Sequence, residues 1–124
     1  MMTEIEKEIY DCKRFIMGIH DSMDMLGGKW KVYIIASLYR DSKRYSEILN
    51  DLKGISGKML SRQLKEMEID QLIVKKAKSD PPSSMFYELT SYGQTLKPVI
   101  HVLADWGIDH REKIFPAHVE PCKE

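Results

Sequence analysis

Cysteine and histidine are scarce in this chain of 124 residues, which contains two cysteines and four histidines. Cys12 and Cys122 lie near opposite ends, so their spacing matches neither a disulfide framework nor a metal-binding motif. The histidines are far apart, and His101 and Asp105, four residues apart on a predicted helix, are typical of a surface pair. We therefore expect no metal, no cofactor and a reduced, cytoplasmic protein.

Long apolar runs and catalytic motifs are absent as well. No segment approaches the roughly 18 apolar residues of a membrane span, and early charges rule out a signal sequence. Neither Gly-x-Ser-x-Gly nor His-Glu-x-x-His occurs. The sequence therefore predicts a protein that is not an enzyme and has no membrane partner. With 43% apolar and 31% charged residues, we expect a single globular domain over residues 1–124.

Positive charge is concentrated in the middle of a chain whose net charge is zero. Between Lys29 and Lys78 there are 12 lysines and arginines against 6 aspartates and glutamates, so the ends carry the balancing negative charge. This distribution predicts a central surface that meets a polyanion such as nucleic acid. A chance fluctuation in a charge-rich sequence is the alternative.

The N-terminal segment, residues 3–25, carries a narrow apolar stripe. Its members alternate in steps of four and three, as on one face of a helix: Ile5, Ile9, Cys12, Ile16, Ile19 and Met23. Gly18 weakens helix continuity, which allows two shorter helices, the second starting near Asp21 and Ser22. The stripe predicts docking against a second subunit or packing on the chain's own core. The candidate dimer contacts in this segment are Ile5, Ile9 and Ile16.

Residues 26–90 are predicted to form the core of a winged helix-turn-helix. After a turn at Gly27-Gly28, a helix starting near Trp30 is apolar almost all round and should be central and buried. Ser46 can cap a short helix that follows a brief extended stretch. A tight turn around Gly54 leads into another helix, and two short helices joined in this way form a helix-turn-helix.

The second of these helices, residues 56–71, has two contrasting faces. The apolar face consists of Leu60, Leu64 and Met67, and the opposite face of Lys58, Ser61, Arg62 and Lys65. Bases precede acids along this helix, against the preference of the helix dipole, and such a departure often marks function. An ordinary solvated face is the alternative.

DNA contacts are predicted on this polar face. Arg62 is the candidate for base-edge contact, because a guanidinium can pair bidentately with guanine. The candidate phosphate contacts on or beside the two helices are Arg44, Ser56, Lys58, Ser61 and Lys65.

A β-hairpin is predicted directly after the helix-turn-helix. Residues 72–78 and 85–89 have strand character, and the segment between them is rich in proline and serine. A hairpin in this position is a two-stranded wing, and its polar side chains can reach phosphate oxygens. The candidate contacts are Lys76, Lys78, Ser83 and Ser84. A plain surface hairpin with solvated lysines is the alternative.

A last helix is predicted over residues 91–113, followed by a loose tail over 114–124. Pro98 lies too early in this helix to break its main length. The candidate dimer contacts on its apolar face are Val99, Leu103 and Trp106. The predicted fold class is α+β, mostly helical.

Several blocks in one order resemble the HxlR family of bacterial transcriptional regulators. The blocks are Leu26-Gly27-Gly28-Lys29-Trp30, Arg44-Tyr45-Ser46-Glu47-Ile48, Gly54-Ile55-Ser56-Gly57-Lys58-Met59-Leu60, Leu64-Lys65-Glu66-Met67-Glu68, Pro81-Pro82, Tyr87-Glu88-Leu89-Thr90 and Trp106-Gly107. The similarity covers about residues 20–110. It implies a winged helix-turn-helix whose extra N- and C-terminal helices build a homodimer. It also implies double-stranded DNA with a two-fold-related operator as the partner, the helix at 56–71 lying in the major groove. Half-sites are then about 34 Å apart.

Some members of this family sense oxidants or electrophiles through a cysteine close before the Leu-Gly-Gly-Lys-Trp block. In this chain that place is occupied by Ile16-Met17-Gly18, and Cys12 lies about one helical turn earlier. Lys13 and Arg14 favour a Cys12 thiolate, whereas its place in the apolar stripe favours a buried, inert thiol. A thiol-based regulator and a winged-helix protein-interaction module without DNA binding are the alternatives. A small-molecule or redox effector is compatible with the sequence, but its identity is open.

Overall fold

The computed structural model describes residues 1–77 and 84–115. Within these residues the chain forms six α-helices and three short strands. In chain order they are α1 (Glu4–Leu26), α2 (Trp30–Ser37), β1 (Lys43–Arg44), α3 (Tyr45–Asp51), α4 (Gly57–Ile69), β2 (Ile73–Ala77), β3 (Met85–Leu89), α5 (Ser91–Gln94) and α6 (Lys97–Ile114). This confirms the predicted α+β, mostly helical fold class, with α3 and α4 as the helix-turn-helix and β2 and β3 as the wing.

Helix α1 is a single helix of 23 residues, so the alternative of two shorter helices that Gly18 allowed is wrong. The helix begins with a capping box, in which Thr3 and Glu6 each accept the other's backbone N–H, at 3.1 and 3.0 Å. One glycine in a helix interior costs only about 1 kcal/mol relative to alanine. With 22 other residues in helical conformation, α1 stays continuous in spite of this cost. None of the residues of α1 is buried.

The hydrophobic core lies between α2, α3, α4, the sheet and the start of α6. Its buried members are Ile34, Ile35, Leu38, Ile48, Leu52, Leu60, Leu64, Met67, Leu72, Ile73, Tyr87, Leu89 and Ile100. The apolar face predicted for α4 is therefore confirmed. Helix α2 is central, but the prediction that it is buried all round is wrong. Its Tyr33 side chain is 48% exposed, whereas its one charged residue, Lys31, is buried at 9% exposure.

The sheet has three strands, one more than the predicted two-stranded wing. All pairs are antiparallel in the order β1-β3-β2, with Arg44 opposite Phe86 and Lys76 opposite Phe86 from the other side. Because Arg44 is extended and still paired, α3 begins at Tyr45. The predicted N-cap Ser46 is therefore wrong, and the cap position falls at Arg44.

The backbone turns left-handed just after α4, at Gln71, with φ of 62°. The N–H groups of Gln71 and Leu72 donate to the carbonyls of Glu68 and Met67, which is the Schellman pattern of helix termination. The Thr90 hydroxyl then donates to the Gln71 carbonyl at 2.6 Å. This junction ties the end of α4 to the segment that follows the wing.

The predicted helix over 91–113 is two helices. Thr90 caps the one-turn helix α5 by accepting the N–H of Gly93, and α6 starts separately with Pro98 in its first turn. Proline is favoured there because the first turn needs no N–H donor. None of the described helices has an apolar run long enough to cross a membrane.

Candidate nucleic-acid interface

Helix α4 presents a cationic polar face to the surface. Its N-cap, Ser56, accepts the N–H of Met59 at 3.1 Å, which fixes the start of the helix. The four residues predicted on the polar face are all exposed: Lys58, Ser61, Arg62 and Lys65. The first turn contains no acidic residue and the last turn no basic one, so charge does run against the helix dipole.

Tyr45 holds the first turns of α4 against α3. Its hydroxyl donates to the carbonyl oxygen of Gly57 at 2.7 Å and accepts from the Ser61 hydroxyl at 3.2 Å. A Cβ atom on Gly57 would lie 3.1 Å from the same hydroxyl, so the close approach of the two helices favours glycine there. The N-terminal end of α4 is therefore positioned by a side chain from the preceding helix.

The carboxylate of Glu66 contacts one buried and one exposed basic side chain. One carboxylate oxygen lies 3.0 Å from the Nζ atom of Lys31 on α2, and the other lies 3.6 Å from the Nε atom of Arg62. The hydrogen bond from Lys31 is the main cause that lowers the pKa of Glu66, and Arg62 adds to it. The guanidinium of Arg62 therefore lies beside a carboxylate on the exposed face of α4.

The N-terminal end of α3 carries a second charged group. Glu47 accepts hydrogen bonds from the backbone N–H and the Nε atom of Arg44, at 3.0 and 3.3 Å. These bonds lower the pKa of Glu47, the backbone N–H being the larger cause. Arg44, a predicted phosphate contact, is exposed but paired.

The described part of the wing carries two lysines on β2. Lys76 forms an ion pair with Glu88 at 2.6 Å, and Lys75 lies 5.7 Å from the ring centroid of Tyr87. Of the other predicted wing contacts, Ser84 is half-buried, whereas Lys78 and Ser83 lie outside the described residues.

The candidate dimer contacts lie on the surface of α1 and α6. All six are exposed in the single chain: Ile5, Ile9, Ile16, Val99, Leu103 and Trp106. The α1 stripe therefore does not pack on the chain's own core. Cys12 in that stripe is exposed in the single chain too.

His101 and Asp105 on α6 form a surface pair, as predicted. The Nε2 atom of His101 lies 3.3 Å from an Asp105 carboxylate oxygen, and both side chains are largely exposed. Among the described residues, no three histidine, cysteine, aspartate or glutamate side chains converge where a metal ion could bind.

Sequence reasoning missed the three residues that position the polar face, namely Tyr45, Lys31 and Glu66. A signal for two of them was present. Lys31 is the one charged residue inside α2, and Glu66 is the first acid of α4. A lone charged residue on an apolar helix predicts an oppositely charged partner, because a buried charge is costly unless it is paired. The pairing itself depends on how α2 and α4 cross, which periodicity does not report.

A buried helix, a helix-turn-helix with a cationic second helix, and an adjoining β-hairpin define a winged helix-turn-helix protein. The model of the HxlR-like helix-turn-helix family matches residues 25–115. The HTH-type transcriptional regulator YtcD of Bacillus subtilis is 32% identical over 103 residues, 83% of this chain and 82% of that protein. The chain belongs to the HxlR-like family, and it is a transcriptional regulator of the helix-turn-helix type.

Two solved structures extend the similarity. The redox regulator HypR in its reduced form has a TM-score of 0.72 and 29% identity, covering 78% of this chain and 96% of that chain. The diamide-treated YodB of B. subtilis has a TM-score of 0.59 and 25% identity, covering 98% of this chain and 99% of that chain.

Proposed function

We propose that this regulator is a homodimer that binds a two-fold-related DNA operator and places α4 of each subunit in a major groove. The observation that carries the proposal is the exposed face of α4, which holds three cations and a hydroxyl beside a firmly anchored N-terminus. In helix-turn-helix proteins the early residues of the second helix contact base edges. On this basis α4 reads the sequence.

The contacts divide into base-reading and phosphate-holding groups. Arg62 reads a base edge, and its guanidinium lies 3.6 Å from the carboxylate of Glu66 in the free chain. The residues that hold phosphate are Arg44, Ser56, Lys58, Ser61, Lys65, Lys76, Lys78, Ser83 and Ser84. Phosphate contacts orient the protein on the duplex but carry no sequence information directly.

Two of the phosphate contacts already have a carboxylate partner in the free chain. Arg44 is paired with Glu47 and Lys76 with Glu88 in the free chain. Both pairs are exposed, and exposed pairs contribute little, about 0–1 kcal/mol. A phosphate oxygen can therefore replace or share the carboxylate at little cost.

The dimer is supported by apolar surface that the single chain leaves uncovered. On α6, Val99, Leu103 and Trp106 line an almost wholly apolar groove together with Pro98 and Val102. Contiguous exposed apolar surface of this kind marks protein contact sites. Two α4 helices related by the dimer axis then meet half-sites about 34 Å apart.

Selection of bound genomic fragments, followed by fluorescence anisotropy, tests this function. The selected fragments should share a two-fold-related motif, and one dimer should bind each fragment in sedimentation. The affinity for a shuffled duplex should be lower and should fall steeply with salt. If the chain binds no duplex at low salt, DNA binding is refuted and a winged-helix protein-interaction module becomes the better account.

A thiol-based response is a second candidate function, favoured by the exposure of Cys12. HypR is a redox regulator, and the YodB structure is that of the diamide-treated protein. Cys12 lies in the α1 stripe between Ile9 and Ile16, so its oxidation would change the surface that we assign to the dimer. Such a change can alter DNA affinity without touching α4.

Diamide treatment of DNA-bound protein tests this candidate. Diamide takes two electrons and two protons from a pair of thiols, which join in a disulfide. If Cys12 is the sensor, the Cys12 thiols of the two subunits form that disulfide, so diamide releases DNA from the wild type and from Cys122→Ser, but not from Cys12→Ser. If Cys12→Ser releases DNA as the wild type does, or if the wild type keeps its DNA, Cys12 is not a sensor.

A further inference from the structure

A cavity of about 500 Å³ lies between one side of α2 and the C-terminal end of α3. Its lining includes none of the residues that we assign to DNA or to the dimer. Small-molecule sites in proteins typically measure about 300–1,000 Å³. The cavity therefore has room for a molecule of one or two rings.

The cavity carries more positive than negative charge. Lys43 is paired with Asp51, whose carboxylate also accepts the Ser37 hydroxyl at 2.8 Å. Lys29 and Lys53 also border the cavity, and within residues 1–77 and 84–115 neither has a carboxylate partner. Two ammonium groups are thus left to attract an anion.

The start of α2 adds to this positive charge. Lys29 holds the N-cap position without a side-chain hydrogen bond to the helix, and the first turn has no acidic residue. The exposed N–H groups and the dipole of a helix N-terminus favour negative charge. Lys29 and Trp30, the N-cap and the first residue of α2, both line the cavity.

Aromatic rings form the wall beside these charges. The rings of Trp30 and Tyr33 are tilted by 54° with centroids 5.6 Å apart, and the Lys29 ammonium lies 4.8 Å from the Trp30 centroid. The buried side chain of Leu52 borders the cavity as well. Aromatic walls next to ammonium groups that lack a carboxylate partner suit a planar ring that carries an anionic group.

We propose that this cavity binds a planar aromatic anion, with its acidic group at Lys29 and Lys53 and its ring against Trp30 and Tyr33. Lys53 lies in the turn between α3 and Ser56, the N-cap of α4. A bound molecule therefore contacts the segment that positions the helix assigned to DNA. A DNA phosphate offers the same anionic group without the ring, and the experiment separates the two sources.

Calorimetric titration of the full-length chain without DNA tests the site, using 1-naphthoate and its uncharged counterpart 1-naphthamide. Naphthoate should bind with a Kd below about 1 mM, and the amide about tenfold more weakly or worse, because only the anion engages the ammonium groups. Lys29→Met and Lys53→Met should each weaken naphthoate binding by about threefold or more. Lys7→Met, a charge loss on the exposed surface of α1, should leave it unchanged.

Three results would overturn the proposal. Equal affinity for the acid and the amide would show that charge plays no part, and unchanged binding by both lysine variants would place the molecule elsewhere. The third is failure of the wild type to bind naphthoate; if Lys29→Met and Lys53→Met then also lose duplex affinity and its salt dependence in a separate anisotropy measurement, DNA phosphate is the ligand. Because the titration contains no DNA, its outcome is independent of whether the chain binds an operator. Circular dichroism of each variant confirms that it is folded.

Discussion

The Nζ atom of Lys31 and a carboxylate oxygen of Glu66 lie 3.0 Å apart, and this ion pair joins the central helix α2 to α4. Lys31 is buried at 9% exposure, whereas Glu66 reaches the surface and also contacts Arg62. The pair therefore connects the core to the face that we assign to DNA. The buried ammonium group of Lys31 is tolerated because the Glu66 carboxylate on α4 compensates its charge.

Removing the charge of Glu66 and removing that of Lys31 should have unequal effects on stability. Glu66→Gln leaves a buried ammonium without its counter-charge, whereas Lys31→Met removes the charge and keeps an apolar stem of similar length. We expect Glu66→Gln to lower the free energy of unfolding more than Lys31→Met does, as measured by urea denaturation. A larger loss in Lys31→Met would contradict this account of the pair.

Acid should destabilise the protein partly through the same carboxylate. The pKa of Glu66 is held below its usual 4.5 mainly by the Lys31 hydrogen bond. The folded state thus favours the ionised form, and this stabilisation is present above about pH 4.5 and is lost as the pH falls through the lowered pKa. The pKa of Asp51 is lowered from 3.8, mainly by the Lys43 hydrogen bond, and it adds to the loss at lower pH.

Thermal unfolding across this pH range provides the measurement. The wild type should lose Tm on acidification below about pH 4.5 more steeply than Glu66→Gln, which lacks that titrating group. Parallel curves for the two proteins would show that Glu66 makes no such contribution.

The junction after the wing should not tolerate a methyl group at Gly93. A Cβ atom there would lie 2.0 Å from the carbonyl oxygen of Leu72, so the backbone of one segment has to move. Gly93→Ala should lower Tm severely or prevent folding. Gly18→Ala is the matched control: its Cβ meets no atom within 4 Å, and it should stabilise α1 by about 0.5–1 kcal/mol. Similar Tm values for the two variants would refute this close contact.

The apolar face of α6 should control the oligomeric state. Leu103→Asp places a charge on the proposed dimer surface, and sedimentation should then find monomers at concentrations where the wild type is dimeric. Ile69→Asp makes the same kind of change at an exposed isoleucine at the end of α4, and it should leave the dimer intact. A dimer in both variants would mean that α6 is not the interface.

Local sequence patterns were sufficient for the elements that repeat regularly or contain strong turn signals. The spacing of Leu60, Leu64 and Met67 predicts the buried face of α4, and Ser56 predicts its start. The exposed polar face of α4 followed from the same period. The DNA contacts assigned to that face stay predictions.

The features that were missed depend on tertiary contacts. The strand β1 has two residues and exists because Arg44 pairs with Phe86, so it has no periodicity of its own. The Schellman end at Gln71 places a residue other than glycine in the left-handed region, which local preference disfavours. The roles of Lys31 and Tyr45 arise from the packing of α4 against α2 and α3. None of these contacts is visible in a single stretch of chain.

The most direct test of the central claim compares Arg62→Ala with Lys76→Ala on the selected operator and on a shuffled duplex, over a range of salt concentrations. Arg62→Ala should lower operator affinity by about tenfold or more while changing shuffled-duplex affinity much less, because a base-edge contact is lost. Lys76→Ala should weaken both duplexes about equally and reduce the salt slope by about one. If both variants change the two duplexes by the same factor, α4 does not read the sequence through Arg62, and the account is contradicted.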